Sequence, residues 1–136
     1  MIETVKWSDD MERIAQEVIS EHESDLGWIR DEYIRIAYLY SDRKKTQKKG
    51  WQNGAVLGEC KKADPTLKEL AKYDFVITFY GPNVEDFTEE QLHILMYHEL
   101  LHITVEDGRA SVRPHDYHVE DFQKVIDLYG EDWAKK

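Results

Sequence analysis

The segment from Thr88 to Thr104 limits what this chain can fold into more than any other. Thr88 and Gln91 have the spacing of a capping box, and Phe87 and Leu92 stand where a hydrophobic staple would hold the entry into a helix. The helix begun there, expected to run to about Thr104, is apolar along most of its length through Leu92, Ile94, Leu95, Met96, Leu100, Leu101 and Ile103. His98, Glu99 and His102 interrupt it. Burying two imidazoles and a carboxylate is costly unless something pairs with them, so the fold must bring that partner to this helix.

The rest of the chain supplies a small scaffold. Its 136 residues suffice for one domain spanning 1–136, able to bury roughly 68–70 % of its unfolded surface. With 41 % hydrophobic and 34 % charged residues it is too apolar for a disordered chain and needs a highly polar surface. Met11, Ile14, Ala15, Val18 and Ile19 recur at helical spacing over about residues 9–22, with Asp9 and Glu12 in capping-box form. Glu23–Gly27 reads as a turn and Tyr33–Tyr40 as a strand. Residues Arg43 to Gly50 read as a solvated hairpin tip leading to a Gly-containing edge strand near Ala55–Lys61. Asp64-Pro65 opens a short helix to Lys72, and Phe75–Tyr80 is a strand closed by Gly81-Pro82-Asn83. Glu106-Asp107-Gly108 breaks the central helix, a loop follows, and Val119, Phe122, Val125, Ile126 and Tyr129 mark a last helix stopped at Gly130. The expected class is α+β: a small, mostly antiparallel sheet of three or four strands packed with an N-terminal helix and the central helix, the C-terminal helix closing the site.

His98-Glu99-Leu100-Leu101-His102 is an HExxH motif. Four residues advance a helix by about 400°, so both imidazoles leave one face a turn apart and can grip one cation at about 2.0–2.1 Å. Glu99 lies about 100° round from His98, within reach of a water on that cation without being a ligand. This is the geometry of metal-assisted hydrolysis, with Glu99 as general base and later as proton donor to the leaving amine. A single cysteine, Cys60, excludes both an internal disulfide and a thiolate cage, leaving nitrogen and oxygen ligands. An imidazole-rich set suits Zn²⁺. A catalytic zinc needs a third protein ligand, and His115, His118 and Glu120 follow His102 by thirteen to eighteen residues. Asp116 is a candidate to orient a ligand imidazole and Tyr117 to donate to an oxyanion, although an N-cap Asp and a packing Tyr explain them equally.

Other features carry less. Arg43 to Lys49 holds five positive charges in a chain of net charge −10, a patch able to steer an acidic partner or nucleic acid but also an ordinary solvated tip. Trp7, Trp28, Trp51 and Trp133 fall at segment ends, as core-edge packing does. His22 and His93 read as structural. No window approaches about 18 consecutive apolar residues, and Met1–Thr4 lacks a basic n-region and an apolar h-region, so the expectation is a cytoplasmic protein with no membrane span.

Tyr73-Asp74-Phe75-Val76-Ile77, Thr88-Glu89-Glu90-Gln91, Tyr97–Ile103, Arg113-Pro114-His115-Asp116, Val119-Glu120-Asp121-Phe122 and Tyr129–Trp133, in that order, resemble the putative phage metallopeptidase family over nearly the whole chain. The resemblance implies a zinc-peptidase-like (zincin-like) protein encoded by a phage or prophage and acting in the bacterial host cytoplasm on proteins or peptides, which the edge strand could take up by strand addition. Members run directly from the His-Asp pair into the acidic-acidic-Phe element, whereas Tyr117-His118 intervenes here. The sequence is also similar to SprT-like zinc peptidases, which place a ligating histidine four residues before a helix phenylalanine. His118 stands so to Phe122, which makes it the first choice of third ligand and His115 the alternative. Two other functions are weighed: a metal-stabilised, non-catalytic phage protein binding a host protein or nucleic acid, and an SprT-like role on DNA-bound proteins. The acidic balance and lack of a Cys-rich module oppose the second.

Overall fold

The computed structural model describes residues 5–46, 55–116 and 121–135. Along the chain these form β1 (Val5–Trp7), α1 (Asp9–Glu21), α2 (Glu23–Asp31), β2 (Ile36–Ser41), β3 (Gly58–Lys62), α3 (Pro65–Ala71) and β4 (Phe75–Tyr80). There follow α4 (Gly81–Val84), α5 (Glu89–Leu101), β5 (Ile103–Glu106), β6 (Arg109–Val112) and α6 (Gln123–Tyr129). The class is α+β, as the sequence implies.

The main sheet has the order β1-β2-β4-β3 and is mixed. β1 runs antiparallel to β2 (Trp7 opposite Leu39), β2 parallel to β4 (Ile36 opposite Phe75), and β3 antiparallel to β4 (Cys60 opposite Ile77). Two of its three pairings are thus antiparallel, and β3 is an edge strand as expected. β4, central, carries Phe75, Ile77 and Phe79 into the core, all at most 1 % exposed. α1 adds Met11, Ile14, Ala15 and Val18, and α5 adds Leu95, Met96, Leu100 and Leu101. The capping box of Thr88 and Gln91 forms as expected, and the Gln91 amide also donates to the carbonyls of Trp133 and Lys135, tying the C-terminal segment to the start of α5.

Several local expectations are overturned. α1 is capped by Ser8, whose hydroxyl accepts from the Met11 N–H, rather than by an Asp9–Glu12 box. Glu23–Gly27 is the first part of α2, because burying Leu26 and Ile29 at i, i+3 spacing outweighs the turn preference of its polar residues. β2 and β3 are not partners in a hairpin, since β4 lies between them. Thr46 and Ala55 do form an antiparallel bridge, while the tip expected over residues 47–50 lies outside the described residues. Gly81-Pro82-Asn83 starts the one-turn α4 rather than an open turn.

The largest difference is at the end of α5, which stops at Leu101 instead of about Thr104. The β-branched Ile103, Thr104 and Val105 pair with Val112, Ser111 and Ala110 in a second, two-stranded sheet. Asp107 (φ 51°) and Gly108 (φ 74°) supply the left-handed pair that such a two-residue hairpin needs, so the expected loop is a β-hairpin. It carries the chain back to the HExxH end of α5.

Candidate metal centre

His98 occupies the last turn of α5 and His102 is its C-cap residue, so helical spacing sets their rings 5.2 Å apart, centroid to centroid. The β5–β6 hairpin and Pro114 then deliver His115, whose ring centroid is 4.8 Å from that of His98 and 4.6 Å from that of His102. The Nε2 atoms of His98 and His115 are 2.9 Å apart. One ligand atom from each of the three residues lies within 4.8 Å of the others. Phe122 forms an apolar wall, its ring centroid 5.5, 5.0 and 5.6 Å from those of His98, His102 and His115.

The far nitrogens of the two motif imidazoles are held. His98 Nδ1 donates to Asp121 Oδ1 at 2.5 Å, and Asp121 also accepts from the Phe122 N–H at 2.7 Å and from Trp133 Nε1 at 2.8 Å. His102 Nδ1 donates to the Arg113 carbonyl at 2.6 Å, an acceptor that can only receive. Arg113 grips the same helix end twice more: its N–H donates to the His102 carbonyl, and its guanidinium donates to the Leu101 carbonyl through Nε and Nη2. That cation also offsets the negative end of the α5 dipole. With Nδ1 committed as donor, Nε2 of both imidazoles carries its lone pair toward the shared space.

The matched family adds to this geometry. A family model described as putative phage metallopeptidase matches residues 4–136. The chain belongs to that family. No curated protein and no solved structure matches it. Family membership implies a metal and a protein or peptide substrate. Among the described residues no helix is long and apolar enough to cross a membrane.

The residues present fit such a metal. Burial holds His102 at about 4, against its hydrogen bond to Arg113, and burial with the nearby His98 holds His115 at about 4; burial lowers His98 too, although Asp121 opposes it. All three are neutral ligands at neutral pH. Two imidazole nitrogens 2.9 Å apart repel unless a proton or a cation lies between them. Glu99 is 3 % exposed, and burial, with Asp121 adding to it, pushes its carboxyl up to about 8. No described residue donates it a hydrogen bond. The carboxylate form therefore calls for positive charge in the adjoining space. Asp121, in contrast, is held below the usual carboxylate range: its burial raises it, but the bonds from His98, Trp133 and the Phe122 N–H outweigh that.

A cleft of about 260 Å³ opens beside these groups, lined by Gly58, Cys60, Lys61, Glu99, His102 and His115 among others. Gly58 leaves the space Glu99 needs, for a Cβ there would stand 3.1 Å from both Glu99 Oε2 and the Thr78 carbonyl oxygen. The Cys60 thiol is pushed up by burial and is no ready thiolate ligand.

Of the residues singled out in the sequence, the fold brings together His98, Glu99, His102 and His115. Tyr117, His118 and Glu120 lie outside the described residues. The Asp116 carboxylate accepts from the Gln123 N–H at 2.6 Å, at the start of α6, while the carboxylate on His98 is that of Asp121. Sequence reasoning missed Asp121, Arg113 and the Phe122 wall as parts of the site. The signal for two of them was Glu120-Asp121-Phe122, the acidic-acidic-Phe element. His22 and His93, expected to be structural, are held by partners: His22 stacks on Tyr97 at 3.9 Å, and His93 bonds the Glu89 carbonyl and Glu17.

Proposed function

We propose that residues 1–136 form a single zincin-like, zinc-dependent metallopeptidase domain in which His98, His102 and His115 hold the ion and Glu99 is the general base. The observation that carries this reading is the convergence of three imidazoles, one ring nitrogen of each within 4.8 Å of the others, while Asp121 and the Arg113 carbonyl hold the Nδ1 atoms of His98 and His102. Three neutral nitrogen ligands suit Zn²⁺ and leave its net charge intact. Zinc held there supplies a Lewis acid that makes water nucleophilic at neutral pH and draws charge onto a carbonyl oxygen.

The chain's own groups do the rest. Glu99 takes a proton from the attacking water at a carboxylate oxygen and returns it to the leaving amine. Its burial keeps competing water away and makes its ionisation depend on positive charge beside it. Asp121 fixes the His98 tautomer and ring, Arg113 fixes His102 through its carbonyl and sets the path to His115, and Phe122 keeps the space behind the imidazoles dry. A purely structural zinc would have no use for a buried carboxylate to which no described residue donates a hydrogen bond, and this favours catalysis over the non-catalytic alternative. Expression in a bacterial cytoplasm infected by the encoding phage accords with the family's description.

The test is Glu99→Gln with metal analysis. The variant should retain one zinc per chain and lose cleavage of an unfolded protein substrate by ~10²–10⁴-fold. Retained cleavage at the wild-type rate removes Glu99 as the base. His115→Ala and His118→Ala, compared for zinc content, decide the third ligand, and His115→Ala is the one expected to release it.

A further inference from the structure

The chain carries a net charge of −10, yet one border of the cleft is basic. Among the described residues between 43 and 62 stand Arg43, Lys44, Lys45, Lys61 and Lys62, opposed by Glu59 alone. This stretch adjoins the site. Lys61 lines the cleft with Glu99 and His115, and so does Val56, whose N–H donates to the Lys45 carbonyl at 3.1 Å. Asn83 clamps the two segments there, its amide donating to the carbonyls of Lys45 and Val56, both at 2.8 Å. The cationic segment is thus held against the cleft wall.

Its charges are only partly neutralised. Glu59 pairs with both Lys45 and Lys61, the latter at 3.3 Å. Arg43, Lys44 and Lys62 are exposed and make no ion pair with a carboxylate among the described residues. β3, which bears Glu59, Lys61 and Lys62, ends the main sheet, and its Lys61 lines the same cleft as Glu99, His102 and His115, so a peptide crossing that cleft passes beside these cations. Anionic side chains flanking the scissile bond gain from that rim, and cationic ones are repelled by it.

We propose that the cleft is selective for acidic peptide segments, with Arg43, Lys44, Lys61 and Lys62 recognising Asp and Glu residues that flank the bond to be cut. This rests on the metallopeptidase reading, and the experiment keeps the two apart. Three quenched fluorogenic peptides of one length are compared, with Glu, Ser or Lys flanking an identical apolar centre. With zinc-loaded wild-type protein at low salt, kcat/KM for the Glu peptide should exceed that for the Lys peptide by about 10-fold or more, each exposed ion pair being worth little alone. At about 0.5 M salt the ratio should fall below ~3, since screening then acts over a few ångströms. The Lys61→Glu, Lys62→Glu double variant should cut the ratio to near unity or invert it.

The same peptides are bound to zinc-loaded Glu99→Gln, read by fluorescence anisotropy, with a single-stranded oligonucleotide as competitor. A preference for the Glu peptide there supports the inference even if wild-type protein cuts none of the three, an outcome that would instead remove the peptidase reading. Equal binding and equal cutting of all three peptides overturns the inference and leaves the peptidase reading standing. Displacement of the Glu peptide by oligonucleotide at equal charge concentration also overturns it, in favour of a nucleic-acid surface.

Discussion

Two groups of polar side chains gathered around α5 meet the spacing of a metal site, and their difference shows what such a site needs. His98, His102 and His115 are neutral, sunk beside Phe122, with two Nδ1 atoms spent on Asp121 and Arg113. Glu17, Glu89 and His93 stand at the outer face where α1 crosses α5. That second group is already complete: Arg13 pairs with Glu17 at 2.9 Å and with Glu89 at 2.8 Å, while His93 lies 2.9 Å from Glu17. His93 uses both ring nitrogens, Nδ1 on the Glu89 carbonyl and Nε2 on Glu17, as an imidazolium does. In the first group the charge is lacking, and in the second it is supplied by the protein. Proximity of ligating atoms is common to both, so proximity is not the criterion. What separates them is whether the protein itself brings a positive charge to the ligating atoms, as Arg13 does for Glu17 and Glu89.

The strongest way to break this comparison is to remove one histidine from each group. His102→Ala should abolish stoichiometric zinc binding and with it all cleavage, whereas His93→Ala should leave zinc content at the wild-type value, both read by elemental analysis after dialysis. Equal zinc loss in the two would erase the distinction. Next in size is the carboxylate behind His98. Asp121→Ala should weaken zinc by about 10–100-fold in a chelator competition. Trp133→Phe, which keeps an aromatic ring, though a smaller one, but not the Nε1–H, should weaken it several-fold, and only while Asp121 is present. A Trp133→Phe effect of equal size when combined with Asp121→Ala would mean that the indole acts through packing.

The two groups should also slope oppositely with pH in the metal-free protein. His102 and His115 sit at about 4 in the fold against 6.5 in an unfolded chain, so the unfolded state takes up their protons first on acidification. Glu99, raised to about 8 from 4.5, works the other way, since the folded state keeps its proton while the unfolded state loses it as pH rises. Two imidazoles outweigh one carboxyl, so stability should fall from pH 6.5 toward 4, on the order of 2 kcal/mol allowing for partial exposure, and fall again toward 8. His93 strengthens the alkaline fall. Burial lowers it, but the Glu89 carbonyl and Glu17 raise it further, so its contribution is complete below 6.5 and lost as pH rises through the raised value. Thermal unfolding of chelator-treated protein from pH 4 to 8 reads both limbs, and His93→Ala should flatten the alkaline one alone. The smallest effect is reserved for Glu89→Gln, which should leave zinc content, activity and melting temperature within measurement scatter, as an exposed pairing implies.

The features legible in the sequence are those built by neighbours along the chain. Thr88 with Gln91 and the i, i+4 placement of His98 and His102 depend on helical geometry alone, which a few consecutive residues decide. The Asp64 cap before Pro65 and the Phe75–Tyr80 strand are local in the same sense. Together they were enough for the α+β class and for two of the three converging histidines. Asp107-Gly108 was equally legible as a hairpin turn, but it reads as a helix breaker when Ile103–Val105 is taken for helix, and only pairing with β6 shows otherwise.

What only the tertiary structure decided is everything joined across the chain. Asp121 meets His98 from 23 residues away, the Arg113 carbonyl meets His102 from 11, and the His115 ring meets His98 from 17. The same holds for the choice of β4 rather than β2 as partner of β3, and for Gly58 beside Glu99. Such contacts depend on how hairpins and sheet edges stack, which residue order along one segment does not encode. The motif is therefore written in the sequence as spacing, while the path of the chain through space decides which lone pairs turn inward and which carboxylate stands behind them.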